Sequence, residues 1–122
     1  ALRDWLFGCN PWGTSMVVEL PEGGDYPIQP HSAYVSERAG NATGGLVDGP
    51  VYSSIFNGLV GVNLNGLPWL KGETYSDVQP DDMVYHDAIG DYSTNEPTMD
   101  GTASMTYFLS ALQKEGMKQA KK

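Results

Sequence analysis

Apolar side chains recur at helical spacing near the end of the chain, over residues 97–115. Positions i, i+3, i+4 and i+7 of this stretch are apolar, which describes one face of an amphipathic helix. These residues are Met105, Phe108, Leu109 and Leu112. Pro97 suits the first position of a helix, and Gly116 shortly after Lys114 is typical of a helix end. The pattern therefore predicts a helix here, followed by a frayed basic tail over residues 117–122.

Weaker hydrophobic patterns predict three further elements upstream. Residues 2–9 are interpreted as the end of a helix with Trp5 on its apolar face, and residues 51–64 carry apolar side chains at helical spacing. Residues 14–20 predict one short strand. Fifteen glycines and eight prolines break up the stretches between these elements. Long structureless loops are uncommon in a compact domain unless they are functional, so the loops carry a site or the chain is part of a larger domain.

The charge of the chain excludes one class of partner. The formal net charge is −8 at pH 7, whereas binding to nucleic acid requires a basic face that contacts phosphates. Eight acidic residues and no Lys or Arg lie between residues 72 and 113. Such a run is in itself interpreted as a solvated surface, and a site within it needs further support. No apolar run approaches the ~20 residues that span a bilayer.

Cysteine and acid spacing give no sign of a metal or cofactor. The one cysteine, Cys9, lies in the apolar stretch "WLFGCNP", so we expect a buried structural thiol and no disulfide within the chain. The acids of residues 77–87 lack the order of a calcium-binding loop. We therefore expect no cofactor and no metal site, with a weak calcium site as the alternative. No signal peptide is visible at the start of the sequence.

A proline directly follows Glu96 in the stretch "GDYSTNEPT". Pro97 disfavours the helical conformation of the residue before it, so Glu96 is predicted to lie just outside the helix with its side chain projecting. An alternative is that Glu96 only caps the helix, since "STNE" fits a capping box. A capping-box glutamate would itself be helical, which Pro97 opposes. Both interpretations stay open on these residues alone.

Three stretches resemble the C-terminal part of glycoside hydrolase family 9. "DYSTNEPTMDGTA" is similar to its D-Y-x-x-N-E signature, which is followed by a helix rich in apolar residues, Asp and Ala. "FGCNPWGTSMVVELPEGGDYPIQPH" is similar to its L-G-x-N-P-x-G-x-S-x-V…P-x-x-P-H-H-R region, and "GGLVDGP" to its G-x-L-V-G-G-P. The stretches occur in the family's order and extend over residues 5–112, which makes a chance match improbable.

The resemblance implies an all-α fold, namely the C-terminal portion of an (α/α)6 barrel with long active-site loops, formed by residues 1–116. It implies an inverting hydrolase of β-1,4-linked glucan in which Glu96 is the general acid. Asp91 of the same signature would orient Glu96 or favour its protonated form by charge repulsion, and is a remote candidate for the base. His31 matches the first histidine of the P-H-H-R motif and would line the substrate cleft.

The chain departs from the family at three motif positions. Ser32 and Ala33 stand where the second histidine and the arginine of P-H-H-R would be, and Asp48 replaces a glycine of G-G-P. The first two departures put the usual sugar contacts in doubt. We interpret them as a subfamily variant with a different glycan preference.

Aromatic side chains are the other candidates for contact with sugar. Trp12, Trp69, Tyr85 and Tyr92 have flat rings in or near predicted loops, and Tyr92 belongs to the signature itself. Packing is the competing interpretation for Trp12. His86 lies beside Asp87, and a local hydrogen bond is expected for it.

The family's base aspartates, which belong to a D-x-G-D motif, are missing from this sequence. We therefore expect a partner in the remaining N-terminal part of the same catalytic domain, and a secreted or periplasmic location. The alternative is a non-catalytic glycan-binding module that retains half of the cleft. A third reading, a calcium-dependent adhesion module, requires metal-dependent melting. A D-x-G-D motif upstream in the open reading frame would favour the enzyme.

The missing base leads to a direct prediction. The purified 122-residue chain on its own is expected to show no turnover of carboxymethylcellulose, because one carboxyl group cannot both protonate the leaving oxygen and activate water. Release of reducing sugar by this chain would contradict the prediction.

Overall fold

A computed structural model describes residues 1–32, 42–65 and 73–121. It contains three helices and two short strands in chain order. They are α1 (Leu2–Leu6), β1 (Val51–Tyr52), α2 (Ser53–Phe56), β2 (Met83–Val84) and α3 (Met99–Gln119). The strands pair antiparallel, with Val51 opposite Val84. An all-α fold is therefore not confirmed by the described residues.

Most of the described structure consists of loops held together by isolated β-bridges. Val17 pairs with Leu46, and the next residue, Val47, pairs with Pro97. The segment of residues 46–49 thus lies between two other extended segments. Buried backbone groups must find partners, and these bridges provide them where no regular sheet forms.

The apolar core packs beneath these segments and is partly aromatic. Its buried members are Trp12, Met16, Val18, Val47, Tyr75 and Tyr85. The ring of Tyr85 stacks on that of Tyr75 with centroids 5.7 Å apart and meets Trp12 edge-on at 5.9 Å. Trp5 packs against this cluster, as expected for a residue on the apolar face of α1.

Helix α3 confirms the predicted C-terminal helix, but both of its ends differ from the prediction. Thr98 precedes the first helical residue, and Pro97 lies in the bridge to Val47 instead of at the first helical position. Pro97 has no N–H to donate, and it occupies a bridge position whose hydrogen bonds are made by the residues on either side. The helix also continues past Gly116, so residues 117–119 of the predicted tail are helical.

One hydroxyl group connects α3 to the extended segments. Thr102 Oγ1 donates to the carbonyl of Thr98 at 2.7 Å and accepts the N–H of Leu46 at 3.0 Å. Of the predicted apolar stripe, Met105 is buried and Phe108 and Leu109 are half-buried. Leu112 is 41% exposed, so the C-terminal half of α3 has little cover in the described structure.

Three of the other predicted elements are shorter than the sequence patterns indicated. Residues 51–64 form only β1 and the single turn α2, because glycines at 58 and 61 interrupt the pattern and Gly61 adopts a positive φ of 85°. Residues 14–20 form bridges instead of a strand. Helix α1 ends at Leu6, and Cys9 is exposed, so the prediction of a buried thiol was wrong.

Trp69 and Ala33 lie outside the described residues. Of the helices within the described ranges, none combines the length and hydropathy that a bilayer span requires.

The bridge between Asn63 and Gly90 requires a glycine, which gives a test of the fold. A Cβ atom at Gly90 would overlap the Asn63 carbonyl oxygen. We expect Gly90→Ala to lower the free energy of unfolding by about 2 kcal/mol or more, measured by urea denaturation.

Gly116→Ala is the matched control, since an added Cβ meets no atom within 4 Å on this helical residue. It is expected to leave stability unchanged or raise it by up to about 1 kcal/mol. Equal effects of the two substitutions would contradict the packing described at Gly90.

Candidate active site

Glu96 is held in an extended segment by backbone hydrogen bonds on both of its sides. The N–H of Asp48 donates to the carbonyl of Glu96 at 3.1 Å, and the N–H of Gly49 donates to that of Thr94 at 2.9 Å. On the other side, the N–H of Thr98 donates to the carbonyl of Leu46 at 3.2 Å. We call these paired segments, residues 46–49 and 94–98, the acid ladder. It fixes the backbone of Glu96 independently of its side chain.

The side chain of Glu96 is exposed, and no described residue makes a hydrogen bond or ion pair with its carboxyl group. Helix α3 begins three residues later, at Met99, and no side-chain hydrogen bond caps it. The capping-box interpretation of "STNE" is therefore wrong, and the prediction that Glu96 lies outside the helix is confirmed. A carboxyl group presented in this way is accessible to a ligand.

Asp91 closes the turn that precedes Glu96. Its Oδ1 accepts the N–H groups of Ser93 and Thr94 at 3.0 and 3.1 Å and the hydroxyl of Ser93 at 2.6 Å. Its Oδ2 accepts from His86 Nδ1 and the Thr94 hydroxyl, both at 2.8 Å. Five donors fill the acceptor capacity of this fully buried carboxylate. This leaves no oxygen of Asp91 to bond Glu96 or a water directly, which disfavours a contact with Glu96 and a role as base, whereas charge repulsion between Asp91 and Glu96 stays a prediction. The local hydrogen bond expected for His86 is made with Asp91.

The surroundings of Asp91 also set its ionisation. Burial alone would raise the pKa of this carboxyl, but hydrogen bonds from His86, Ser93 and Thr94 outweigh burial and hold the pKa below its ordinary value. Because the pKa is lower in the folded state, the ionised Asp91 carboxylate stabilises the fold above about pH 4. This contribution is lost as the pH falls further.

Asp87, which the sequence analysis did not single out, connects the turn to a second loop. Its Oδ2 accepts the N–H of Ile28 at 2.8 Å, and its Oδ1 accepts the N–H of Gln29 at 2.8 Å and the Asn95 amide at 2.9 Å. The same Asn95 amide donates to the Gln29 carbonyl at 2.7 Å. Burial raises the pKa of Asp87 to about 6, although all three donors favour its ionised form. The sequence did contain a signal for the burial of Asp87, because this acid stands between a tyrosine and an isoleucine in the stretch "YHDAIG".

His31 and Tyr92 lie together on loops adjacent to Glu96. The His31 N–H donates to the carbonyl of Asn95 at 2.9 Å, and its Nδ1 donates to the carbonyl of Ile89 at 2.8 Å, since a carbonyl only accepts. The rings of His31 and Tyr92 meet edge-on with centroids 6.4 Å apart. Tyr92 Oη donates to the carbonyl of Val60 at 3.0 Å. Both side chains are half-buried, so each keeps a surface that a ligand can contact.

Two of the predicted sugar-binding aromatics belong to the core instead. Tyr85 is fully buried, and its Oη donates to Asn95 Oδ1 at 3.2 Å. Trp12 is 5% exposed, and its Nε1 donates to Gln79 Oε1 at 2.6 Å. A sugar cannot reach either ring without displacing the cluster, so their assignment as substrate-binding residues is corrected. Tyr85 still acts on the site through its hydrogen bond to Asn95, and Trp12 packs against the ring of Tyr85.

The described part of the chain contains no group of three or more His, Cys, Asp or Glu side chains that is arranged to hold a metal ion.

Comparison with known proteins gives one match. The family model described as Glycosyl hydrolase family 9 matches residues 1–109 of the 122-residue chain. No curated protein and no solved structure matches the chain.

The three hydrogen bonds of Asp87 give a test of how the site is held. Asp87→Ala leaves two buried backbone N–H groups and the Asn95 amide without this acceptor. We expect the free energy of unfolding to fall by about 3 kcal/mol or more in urea denaturation. Asp82→Ala, at an exposed position, serves as the control and is expected to change stability by no more than about 0.5 kcal/mol. An Asp87→Ala variant as stable as this control would contradict the conclusion that these three hydrogen bonds hold the site.

Proposed function

Because the chain belongs to glycosyl hydrolase family 9, we propose that it supplies the general acid, Glu96, of an inverting hydrolase that cleaves β-1,4-linked glucan. The family establishes a glycoside hydrolase of the cellulase type. The observation that carries the finer proposal is the exposed carboxyl group of Glu96 on a backbone fixed by the acid ladder.

In this proposal Glu96 gives its proton to the glycosidic oxygen as the bond to the anomeric carbon breaks. An inverting mechanism needs a second carboxylate on the opposite face of the sugar, ~6.5–9.5 Å away, to activate water. Asp91 and Asp87 are buried and hydrogen-bonded, which leaves neither available for that task. The base therefore comes from the remainder of the catalytic domain.

His31 and Tyr92 are proposed to contact the sugar next to the scissile bond. The hydrogen bond of His31 to Ile89 fixes the orientation of its ring, and that of Tyr92 to Val60 fixes the position of its phenol. Rings that are held before the ligand arrives lose little freedom when it binds. The backbone N–H of His31 donates to the carbonyl of Asn95, the residue before Glu96, and the ring of Tyr92 contacts that of His31.

The proposed partner of this chain is the N-terminal part of an (α/α)6 barrel. Large apolar side chains on two helices lack cover in the described structure: Leu2 of α1 is 60% exposed, and Tyr107 and Met117 of α3 are 80% and 58% exposed. A helix that is mostly uncovered yet carries apolar residues is expected to pack against further structure. Because the substrate is an extracellular polymer, we propose a secreted or periplasmic location.

The acid role is tested by Glu96→Gln in the full-length protein. We expect the kcat for β-1,4-glucan to fall about 10³-fold or more, because the glutamine cannot donate a proton to the leaving oxygen. Binding to the glucan, measured by calorimetry, is expected to change little. An aryl β-cellobioside with an acidic phenol needs no protonation, so its hydrolysis is expected to fall far less.

Glu22→Gln is the matched control, because Glu22 is also exposed and lies in a different loop. It is expected to retain wild-type activity on both substrates. Wild-type turnover of glucan by Glu96→Gln would remove Glu96 from the acid role. Glucan binding by a wild-type protein that hydrolyses neither substrate would instead identify a non-catalytic glycan-binding module.

A further inference from the structure

Asn95, the residue before Glu96, is fully buried, and both polar atoms of its side chain are hydrogen-bonded. Its Nδ2 donates to the Gln29 carbonyl at 2.7 Å and to Asp87 Oδ1 at 2.9 Å. Because both of these partners are acceptors, the amide must turn its nitrogen toward them and its oxygen toward Tyr85. The hydroxyl of Tyr85 donates to that oxygen, Oδ1, at 3.2 Å. These contacts fix one orientation of the amide, in which Tyr85 supplies the donor to its oxygen.

The hydroxyl of Tyr85 is a donor that is held in a fixed place. Burial, followed by the negative charge of Asp87, raises the pKa of Tyr85 well above its ordinary value, so the hydroxyl keeps its proton at neutral and acidic pH. The ring of Tyr75 stacks on that of Tyr85, and Trp12 meets it edge-on. A donor on a ring that is locked by packing can hold the Asn95 amide in position.

The inward position of Asn95 sets the direction of the residue that follows it. Successive side chains of an extended segment point to opposite sides, so the burial of Asn95 leaves Glu96 pointing outward, where it is exposed. The backbone N–H of Asn95 also donates to the carbonyl of Asp91 at 3.2 Å. A shift of Asn95 would therefore displace the carboxyl group of Glu96.

From these contacts we infer that Tyr85 is a positioning residue for the proposed acid: its hydroxyl holds the Asn95 amide, and Asn95 in turn directs the side chain of Glu96. The inference rests on the proposed function of Glu96. Without the hydroxyl, Asn95 Oδ1 is buried with no donor, and the amide must move to find one. A displacement of about 1 Å at a reacting group can lower a rate by up to about 100-fold.

The test compares two substrates in the full-length Tyr85→Phe variant. We expect the kcat for β-1,4-glucan to fall about tenfold, because a displaced acid protonates the leaving oxygen poorly. The aryl β-cellobioside with an acidic phenol needs no such protonation, so its kcat is expected to fall less than about twofold. A hydroxyl with a purely structural purpose would not distinguish between the substrates, because partial unfolding lowers both rates by the same factor.

Tyr75→Phe is the matched control. It removes a hydroxyl from a buried ring of the same cluster, whose centroid lies 5.7 Å from that of Tyr85. The hydroxyl of Tyr75 lies near Thr14 and takes no part in the hydrogen bonds of the Asn95 amide. The ratio of the two rates is expected to stay at its wild-type value in this variant, whatever its stability. Urea denaturation of each variant confirms that it is folded under the assay conditions.

An equal loss on both substrates, or no loss on either, in Tyr85→Phe would overturn the inference. If this variant does not fold, Gln79→Ala decides, because the side chain of Gln79 accepts the N–H of Tyr85 at 3.2 Å and donates to its carbonyl. A loss in Gln79→Ala that is confined to glucan supports the inference, and any other pattern of rates overturns it.

The acid role itself is judged separately by Glu96→Gln. Wild-type turnover of glucan by Glu96→Gln would reject the proposed function. A Glu96→Gln variant that is inactive on glucan, together with an unchanged ratio of rates in Tyr85→Phe, would reject only the role of Tyr85.

Discussion

One buried carboxylate keeps the candidate site in shape. Asp87 accepts hydrogen bonds from two consecutive backbone N–H groups of one loop and from the amide of Asn95 in another. A buried charge is tolerated only when its acceptor positions are occupied, so each of the two loops depends on the other to satisfy Asp87. The residue that follows Asn95 is Glu96. The position of the proposed acid is therefore set by a polar contact between two loops that are distant in sequence. Gln29 and Asp87, which form one of its hydrogen bonds, are 58 residues apart.

Three acids within ten positions occupy three different environments. Asp87 is buried between loops and its pKa is raised to about 6, whereas Asp91 is buried within its own turn and its pKa is lowered. Glu96 is exposed. The two buried acids have their oxygens bonded and stabilise the backbone, while the exposed acid keeps its oxygens available. This division of roles follows from the hydrogen bonds that each acid accepts, since the three side chains have the same functional group.

The elements whose local signals agree could be read from the sequence, and those that depend on distant contacts could not. The apolar stripe of α3 predicted a helix, and the effect of Pro97 on its neighbour correctly placed Glu96 outside it. The bridge of Pro97 to Val47 was not foreseeable, because it requires a partner 50 positions away. Tyr85 illustrates the same limit for the site. An aromatic residue in an acidic stretch suggested a sugar contact, but Tyr75 and Trp12 converge on its ring from separate loops and bury it.

The hydroxyl group of Thr102 has a mechanical consequence. It belongs to the first turn of α3, donates to the carbonyl of Thr98 at the end of one ladder segment and accepts from Leu46 in the other, so two hydrogen bonds join the helix to the acid ladder. Through these hydrogen bonds, a rotation of α3 would be passed to the acid ladder. A tilt of this long, largely uncovered helix would displace the acid ladder and change the direction of the Glu96 carboxyl group. If Glu96 has the proposed role, the structure that packs against α3 therefore also positions its carboxyl group.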